Sequence, residues 1–106
     1  VVANEASAIV TAPIAKAVLY AAGFVHPGHT EFLAALAGSL VPGKRHHPVM
    51  MLASDVLRVV PVTIHVPLSD VPRALSKRLL YETINITWRS LKLDFGINEP
   101  RVAVAG

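Results

Sequence analysis

The sequence of 106 residues contains no cysteine. This absence excludes a disulfide framework, a thiolate metal site and a cysteine nucleophile. Any metal bound by this chain must therefore depend on histidine and carboxylate side chains.

Charged and aromatic residues are also scarce, at 16% and 6% of the chain. The net charge is only +3 at pH 7, and the basic residues are spread along the sequence. This composition differs from that of a disordered chain or a basic nucleic-acid tail. Nucleic-acid binding is one alternative, but the basic residues that it would need are not interleaved with aromatic residues, which disfavours it. Those residues are Lys44-Arg45-His46-His47, Arg73, Lys77 and Arg78.

Long apolar runs are missing, although 53% of the residues are hydrophobic. A spanning helix needs about 20 apolar residues, and Lys16, Glu31 and Arg58 interrupt the candidates. The start, Val1 to Glu5, has no basic region of the kind that begins a signal peptide. We therefore predict a cytoplasmic protein. The apolar excess predicts that this chain is an interior segment that packs against more protein.

Short β-rich runs alternate with helical patterns, which predicts an α/β fold. The first half predicts one strand, two helices and a loop, and Thr30 is the expected cap of the second helix. The boundaries are Ala8–Thr11 for the strand, Pro13–Ala22 and Glu31–Ala37 for the helices, and Gly38–Pro48 for a mobile loop.

The second half predicts a β-hairpin, which makes the sheet mixed, with flanking helices. Its strands are Val49–Ala53 and Leu57–Val66, and Pro61 predicts an irregularity in the second. A helix start is expected at Ser69-Asp70, and a longer helix from Ser76 until Gly96 carries an apolar stripe that includes Trp88 and Phe95. A last strand is expected at Arg101–Ala105.

Histidines are the main candidates for chemistry, and none of the five has the His-x-x-x-His spacing of a zinc protease. His29 precedes a predicted helix N-terminus, where free backbone N–H groups attract phosphate or carboxylate. The alternative is that Thr30 only caps the helix. His65 ends an apolar strand, where a neutral imidazole can bind a metal, although a hydrogen-bonded core histidine is the commoner case. No dinucleotide or Walker fingerprint is present.

Four segments together resemble the 4-hydroxythreonine-4-phosphate dehydrogenase family, and they follow in the same order. They are Ile9-Val10-Thr11-Ala12-Pro13-Ile14-Ala15-Lys16, Gly28-His29-Thr30-Glu31-Phe32-Leu33, the stretch from Val49-Met50-Met51-Leu52-Ala53 to His65-Val66-Pro67-Leu68, and Phe95 to Gly106. The second and third segments are specific in combination. The resemblance covers nearly all of this chain but only the middle of a family member.

The resemblance implies a two-domain enzyme similar in fold to isocitrate and isopropylmalate dehydrogenases. Family members oxidise and decarboxylate 4-phosphooxy-L-threonine in pyridoxal phosphate biosynthesis, with NAD or NADP and a divalent metal (Zn, Mg or Co), as homodimers. By position, His65 matches a metal ligand, and His29 and Thr30 match substrate contacts. The other metal histidines and the later substrate contacts would lie beyond Gly106, so we expect the segment alone to be inactive. The resemblance assigns no other catalytic or dinucleotide-binding residue here, and no nucleic-acid or membrane partner.

Two alternatives remain at this point. A related dehydrogenase of another phosphorylated hydroxy acid would have a similar sequence in this region. A non-catalytic α/β interaction module would use the apolar surface to bind a partner, and its histidines would be structural.

Overall fold

A computed structural model describes residues 5–40 and 47–105. The chain divides into two compact units, Val1–Pro48 and Val49–Gly106. The basic run Lys44-Arg45-His46, and most of the predicted mobile loop, lie outside the described residues. The beginning of that loop, Gly38 to Leu40, is helical instead.

The first unit contains two helices, α1 (Lys16–Ala21) and α2 (His29–Leu40). Helix α1 begins later than predicted, because Ala15 is still extended. Gly23 ends it as predicted, with a positive φ of 87°. The N–H of Gly23 donates to the carbonyl of Tyr20 at 3.0 Å, and that of Phe24 to Leu19 at 2.9 Å. These two bonds satisfy the last carbonyls of the helix, as in a Schellman motif.

The strand predicted at Ala8–Thr11 is wrong, since this segment has no regular secondary structure. Its β-rich composition suits a strand, but a strand forms only where another strand pairs with it. Among the described residues, no segment pairs with residues 8–11. The residues therefore remain exposed ahead of Pro13.

An aromatic cluster links the end of α1, the following loop and the first turn of α2. The Phe24 ring lies 5.4 Å from that of His26 and 5.5 Å from that of Phe32, and the His26 and Phe32 rings are 5.5 Å apart. Tyr20 adds a tilted contact to Phe24 and donates from its hydroxyl to the carbonyl of Pro27 at 3.3 Å. These contacts fix the loop that leads into α2.

The second unit begins with the predicted hairpin, but its strands are much shorter than expected. Strand β1 (Leu52–Ala53) pairs antiparallel with β2 (Arg58–Val59), with Leu52 opposite Val59. Ser54 closes the turn, because its backbone N–H donates to the carbonyl of Leu57 at 2.8 Å. The chain is irregular around Pro61, as the sequence predicts.

A 3₁₀ turn (Leu68–Asp70) leads into the short helix α3 (Val71–Ala74). Helix α4 (Lys77–Leu93) is the longest element and begins where predicted, since the Ser76 hydroxyl accepts from the N–H of Leu79 at 3.1 Å. After α4 the chain reverses at Gly96, which has φ 67°.

The core of the second unit lies on one face of α4, where Thr83, Thr87 and Leu91 are buried. The predicted apolar stripe is partly wrong, since Trp88 and Phe95 remain 40% and 47% exposed. Both rings instead face cations: Lys92 lies over Trp88 and Arg58 over Phe95, each at 5.3 Å.

The described residues thus form a small mixed α/β structure whose sheet has two strands. The strand predicted at Arg101–Ala105 is wrong, since this segment is extended but unpaired within the described part of the chain. In the same residues, no helix combines the length and hydropathy that crossing a bilayer requires.

Candidate functional site

His29 and Thr30 lie together in the first turn of α2. The N–H of Phe32 donates to the carbonyl of Gly28 at 3.2 Å, and the helix begins at His29, two residues earlier than predicted. Thr30 is therefore a helical residue, and the prediction that it caps α2 is wrong. The N–H groups of this first turn have no acceptor within the helix. Both candidate side chains stand at the end of α2 that favours anions.

The imidazole of His29 has a side-chain partner in the same unit. Its Nδ1 lies 3.4 Å from the Thr11 hydroxyl oxygen, a distance at the long end for a hydrogen bond. Thr11 is exposed and His29 is half-buried. The contact leaves Nε2 as the ring nitrogen for an external ligand. Thr11 belongs to a segment quoted for the family resemblance, but the sequence alone did not single it out.

Gly28 and Glu31 are packed closely at the start of α2. Gly28 is buried, and a Cβ at this position would lie 3.1 Å from Oε2 of Glu31. That oxygen is buried and finds no hydrogen-bond partner among residues 5–40 and 47–105. The carboxylate also lies in the first turn, where the helix dipole stabilises it. A side chain at position 28 would therefore require the Glu31 carboxylate to shift by a few tenths of an ångström.

His65 lies in the second unit, outside any strand or helix. The prediction that it ends a strand is wrong, because β2 stops at Val59. His65 is exposed and has a φ of 58°, and no other non-glycine residue of the described part has a positive φ. A histidine in the left-handed region is uncommon, and such conformations are frequent at functional sites. Within the described residues, the His65 side chain is exposed and belongs to no core.

No complete metal centre is present in the described residues, since they contain no group of three His, Cys, Asp or Glu side chains suited to a metal ion. The exposed imidazole of His65 offers a nitrogen donor of the kind that binds metal ions, and it fits as one member of a larger set of ligands. The structure brings His29 and Thr30 together in the first unit and leaves His65 in the second.

An apolar groove of about 690 Å³ lies in the second unit beside α4. Val59, Ile84, Leu91 and Val102 are among its lining residues, and His65 is not. The groove is therefore separate from the candidate metal ligand. Its apolar walls are typical of a surface that packs against other protein.

Comparison with known proteins gives one consistent family. The sequence model described as "Pyridoxal phosphate biosynthetic protein PdxA" matches residues 1–106. The chain is 58% identical over 104 residues to a 4-hydroxythreonine-4-phosphate dehydrogenase of Roseobacter denitrificans, with 97% of the chain and 30% of the relative covered. A protein of the same name from Bradyrhizobium diazoefficiens is 56% identical over 98% of the chain and 30% of its own length.

A third relative with this name, from a Ruegeria species, is 52% identical over 100% of the chain and 31% of its own length. The chain thus spans about 30% of the length of the curated relatives it matches.

Proposed function

The chain belongs to the family of pyridoxal phosphate biosynthetic proteins PdxA, and we propose that the full-length protein is a dehydrogenase of 4-phosphooxy-L-threonine. The observation that carries the proposal is the 58% and 56% identity, over nearly the whole chain, to relatives named for this activity. In the proposed reaction the secondary alcohol loses a proton from oxygen and a hydride from carbon. The resulting β-keto acid then loses carbon dioxide.

His29 and Thr30 bind and orient the substrate in this proposal. The phosphate and carboxylate groups of the substrate offer acceptor oxygens, and the first turn of α2 presents N–H donors. The His29 imidazole and the Thr30 hydroxyl extend this set of donors. Their shared position in one helical turn supports a joint role.

In this proposal His65 holds the divalent metal, and that metal is Zn, Mg or Co. Its exposure and its φ of 58° support the assignment. The remaining ligands come from other parts of the full-length protein. When bound, the metal would supply Lewis acidity at the alcohol oxygen, and NAD or NADP would accept the hydride.

The proposal includes a two-domain fold like that of isocitrate and isopropylmalate dehydrogenases, a homodimer and a cytoplasmic location. The exposed apolar side chains of the second unit support burial against further protein, since Val56, Leu57 and Val104 are 94%, 62% and 59% exposed. A lone folded domain rarely leaves so many large apolar side chains in water.

The test is an assay of the full-length gene product with 4-phosphooxy-L-threonine and NAD or NADP. Reduced nicotinamide should form only with a divalent metal, and a chelator should abolish the reaction reversibly. Unphosphorylated 4-hydroxythreonine is the matched control and should react far more slowly. A preference for a different phosphorylated hydroxy acid would contradict the substrate assignment, and no turnover with any of them would contradict the enzyme assignment.

A further inference from the structure

We infer that Thr11 is a positioning residue that sets the orientation and tautomer of His29. The inference rests on the proposed function, because it assigns Thr11 a role at the same substrate site. It is carried by the contact between the Thr11 hydroxyl oxygen and Nδ1 of His29, at 3.4 Å, between residues 18 positions apart in the chain.

The contact decides which ring nitrogen is free. A neutral imidazole carries one proton, so one nitrogen donates and the other accepts. A hydrogen bond to one nitrogen therefore fixes the role of the other. With Thr11 at Nδ1, only Nε2 is available to a ligand.

The chemistry of the substrate class selects the direction of this hydrogen bond. Phosphate and carboxylate oxygens accept hydrogen bonds, so His29 serves such a ligand when Nε2 carries the proton. The Thr11 hydroxyl then donates to Nδ1, which stabilises that tautomer. The opposite tautomer would present a lone pair to an anionic oxygen and weaken binding.

Two further observations indicate that the pair is held in place. His29 is fixed on its other side by the backbone of α2, where it is the first helical residue. The loop leading to it is fixed by the ring of His26 between Phe24 and Phe32. Thr11 supplies the side-chain contact that sets the rotation of the imidazole.

The experiment compares Thr11→Val with Thr11→Ser in the full-length gene product. Valine keeps the shape of threonine without the hydroxyl, and serine keeps the hydroxyl. Thr11→Val should raise KM for 4-phosphooxy-L-threonine about three- to tenfold, the range expected for one lost neutral hydrogen bond. Thr11→Ser should stay within about twofold of the unmodified protein.

Two readouts separate positioning from a structural role. In a His29→Ala background, Thr11→Val should change KM no further, because its partner is gone. The ¹⁵N shifts of the His29 imidazole should report a protonated Nε2, and this signature should weaken in Thr11→Val and return in Thr11→Ser. The NMR readout does not depend on turnover and so holds even if the proposed substrate is wrong.

The inference is overturned if Thr11→Val leaves both KM and the imidazole shifts unchanged. It is also overturned if Thr11→Val raises KM equally with and without His29, since that result indicates a structural effect. Absence of turnover by the unmodified protein counts against the proposed function, and the imidazole shifts alone then decide the role of Thr11.

Discussion

The two units present their candidate histidines in different ways. In the first unit, His29 begins a regular helix of 12 residues and has a side-chain partner in Thr11. In the second unit, His65 lies in an irregular segment, with a φ of 58° and an exposed side chain. The His29 imidazole thus has a neighbouring hydroxyl, whereas His65 is distinguished by its backbone conformation and exposure.

The units also differ in how they are stabilised. Neither α1 nor α2 has a buried residue, and aromatic contacts hold the first unit together. The second unit has a small core on α4, formed by Thr83, Thr87 and Leu91. From this difference we expect substitutions on the buried face of α4 to act mainly on stability, and substitutions at the proposed site residues His29, Thr30 and His65 to act mainly on function.

The largest expected effect is on stability and concerns Leu91. Leu91→Ala removes a buried side chain, and should lower the free energy of unfolding of the full-length protein by about 3 kcal/mol. Arg89→Ala is the matched control, because this polar side chain is exposed on the same helix, and should change stability by less than about 0.5 kcal/mol. Urea unfolding measures both. Equal effects of the two variants would remove the distinction between the faces of α4.

The next effect concerns the metal. His65→Ala should lower metal-dependent kcat/KM by at least about 100-fold. Losing a residue that only hydrogen-bonds to a metal ligand costs up to about 100-fold, and losing the ligand itself should cost at least as much. His47→Ala, a half-buried histidine outside the proposed site, is the control and should keep its activity. Metal content after dialysis provides a second measurement. Full metal occupancy in His65→Ala would refute the ligand assignment.

A smaller effect is expected at the start of α2. Thr30→Val should raise KM for 4-phosphooxy-L-threonine about tenfold, the loss of one hydrogen bond to a charged group, with metal affinity unchanged. Thr30→Ser retains the hydroxyl and should restore KM. An unchanged KM in Thr30→Val would show that Thr30 is part of helix α2 but does not contact the substrate.

The smallest effect concerns the N-cap of α4. Ser76→Ala removes the hydroxyl that accepts from the N–H of Leu79, and should lower the unfolding free energy by about 1 kcal/mol with no change in KM. Ser76→Asp keeps an acceptor and should keep the stability. A change in KM would show that α4 also shapes the site, which would weaken the contrast between stability and function.

Local signals in the sequence predicted the fold best. Ser76 and the glycines Gly23 and Gly96 mark helix ends correctly, because caps and positive φ angles depend on neighbours in sequence. The strands at 8–11 and 101–105 were predicted wrongly, since pairing depends on a distant strand and none pairs with them in the described residues. Trp88 was assigned to the core because its spacing places it on the apolar face of α4. Periodicity identifies such a face but does not show which residues pack against it.

The candidate site was predicted in part. Sequence spacing put His29 and Thr30 near a helix N-terminus, and the structure puts both in its first turn. The metal role of His65 stays a prediction. Its positive φ was not predicted, because that conformation is uncommon for any non-glycine residue, even though histidine adopts it more often than most. The contact of Thr11 with His29 joins an irregular segment to the start of α2, 18 residues later in the chain, which one-dimensional patterns do not reveal.

The most direct test of this division of roles is to measure metal and substrate dissociation constants for His29→Ala and His65→Ala in the full-length protein. The account predicts that His65→Ala weakens metal binding strongly, whereas His29→Ala weakens substrate binding and leaves metal affinity unchanged. Weakened metal binding in His29→Ala, or unchanged metal binding in His65→Ala, would contradict it.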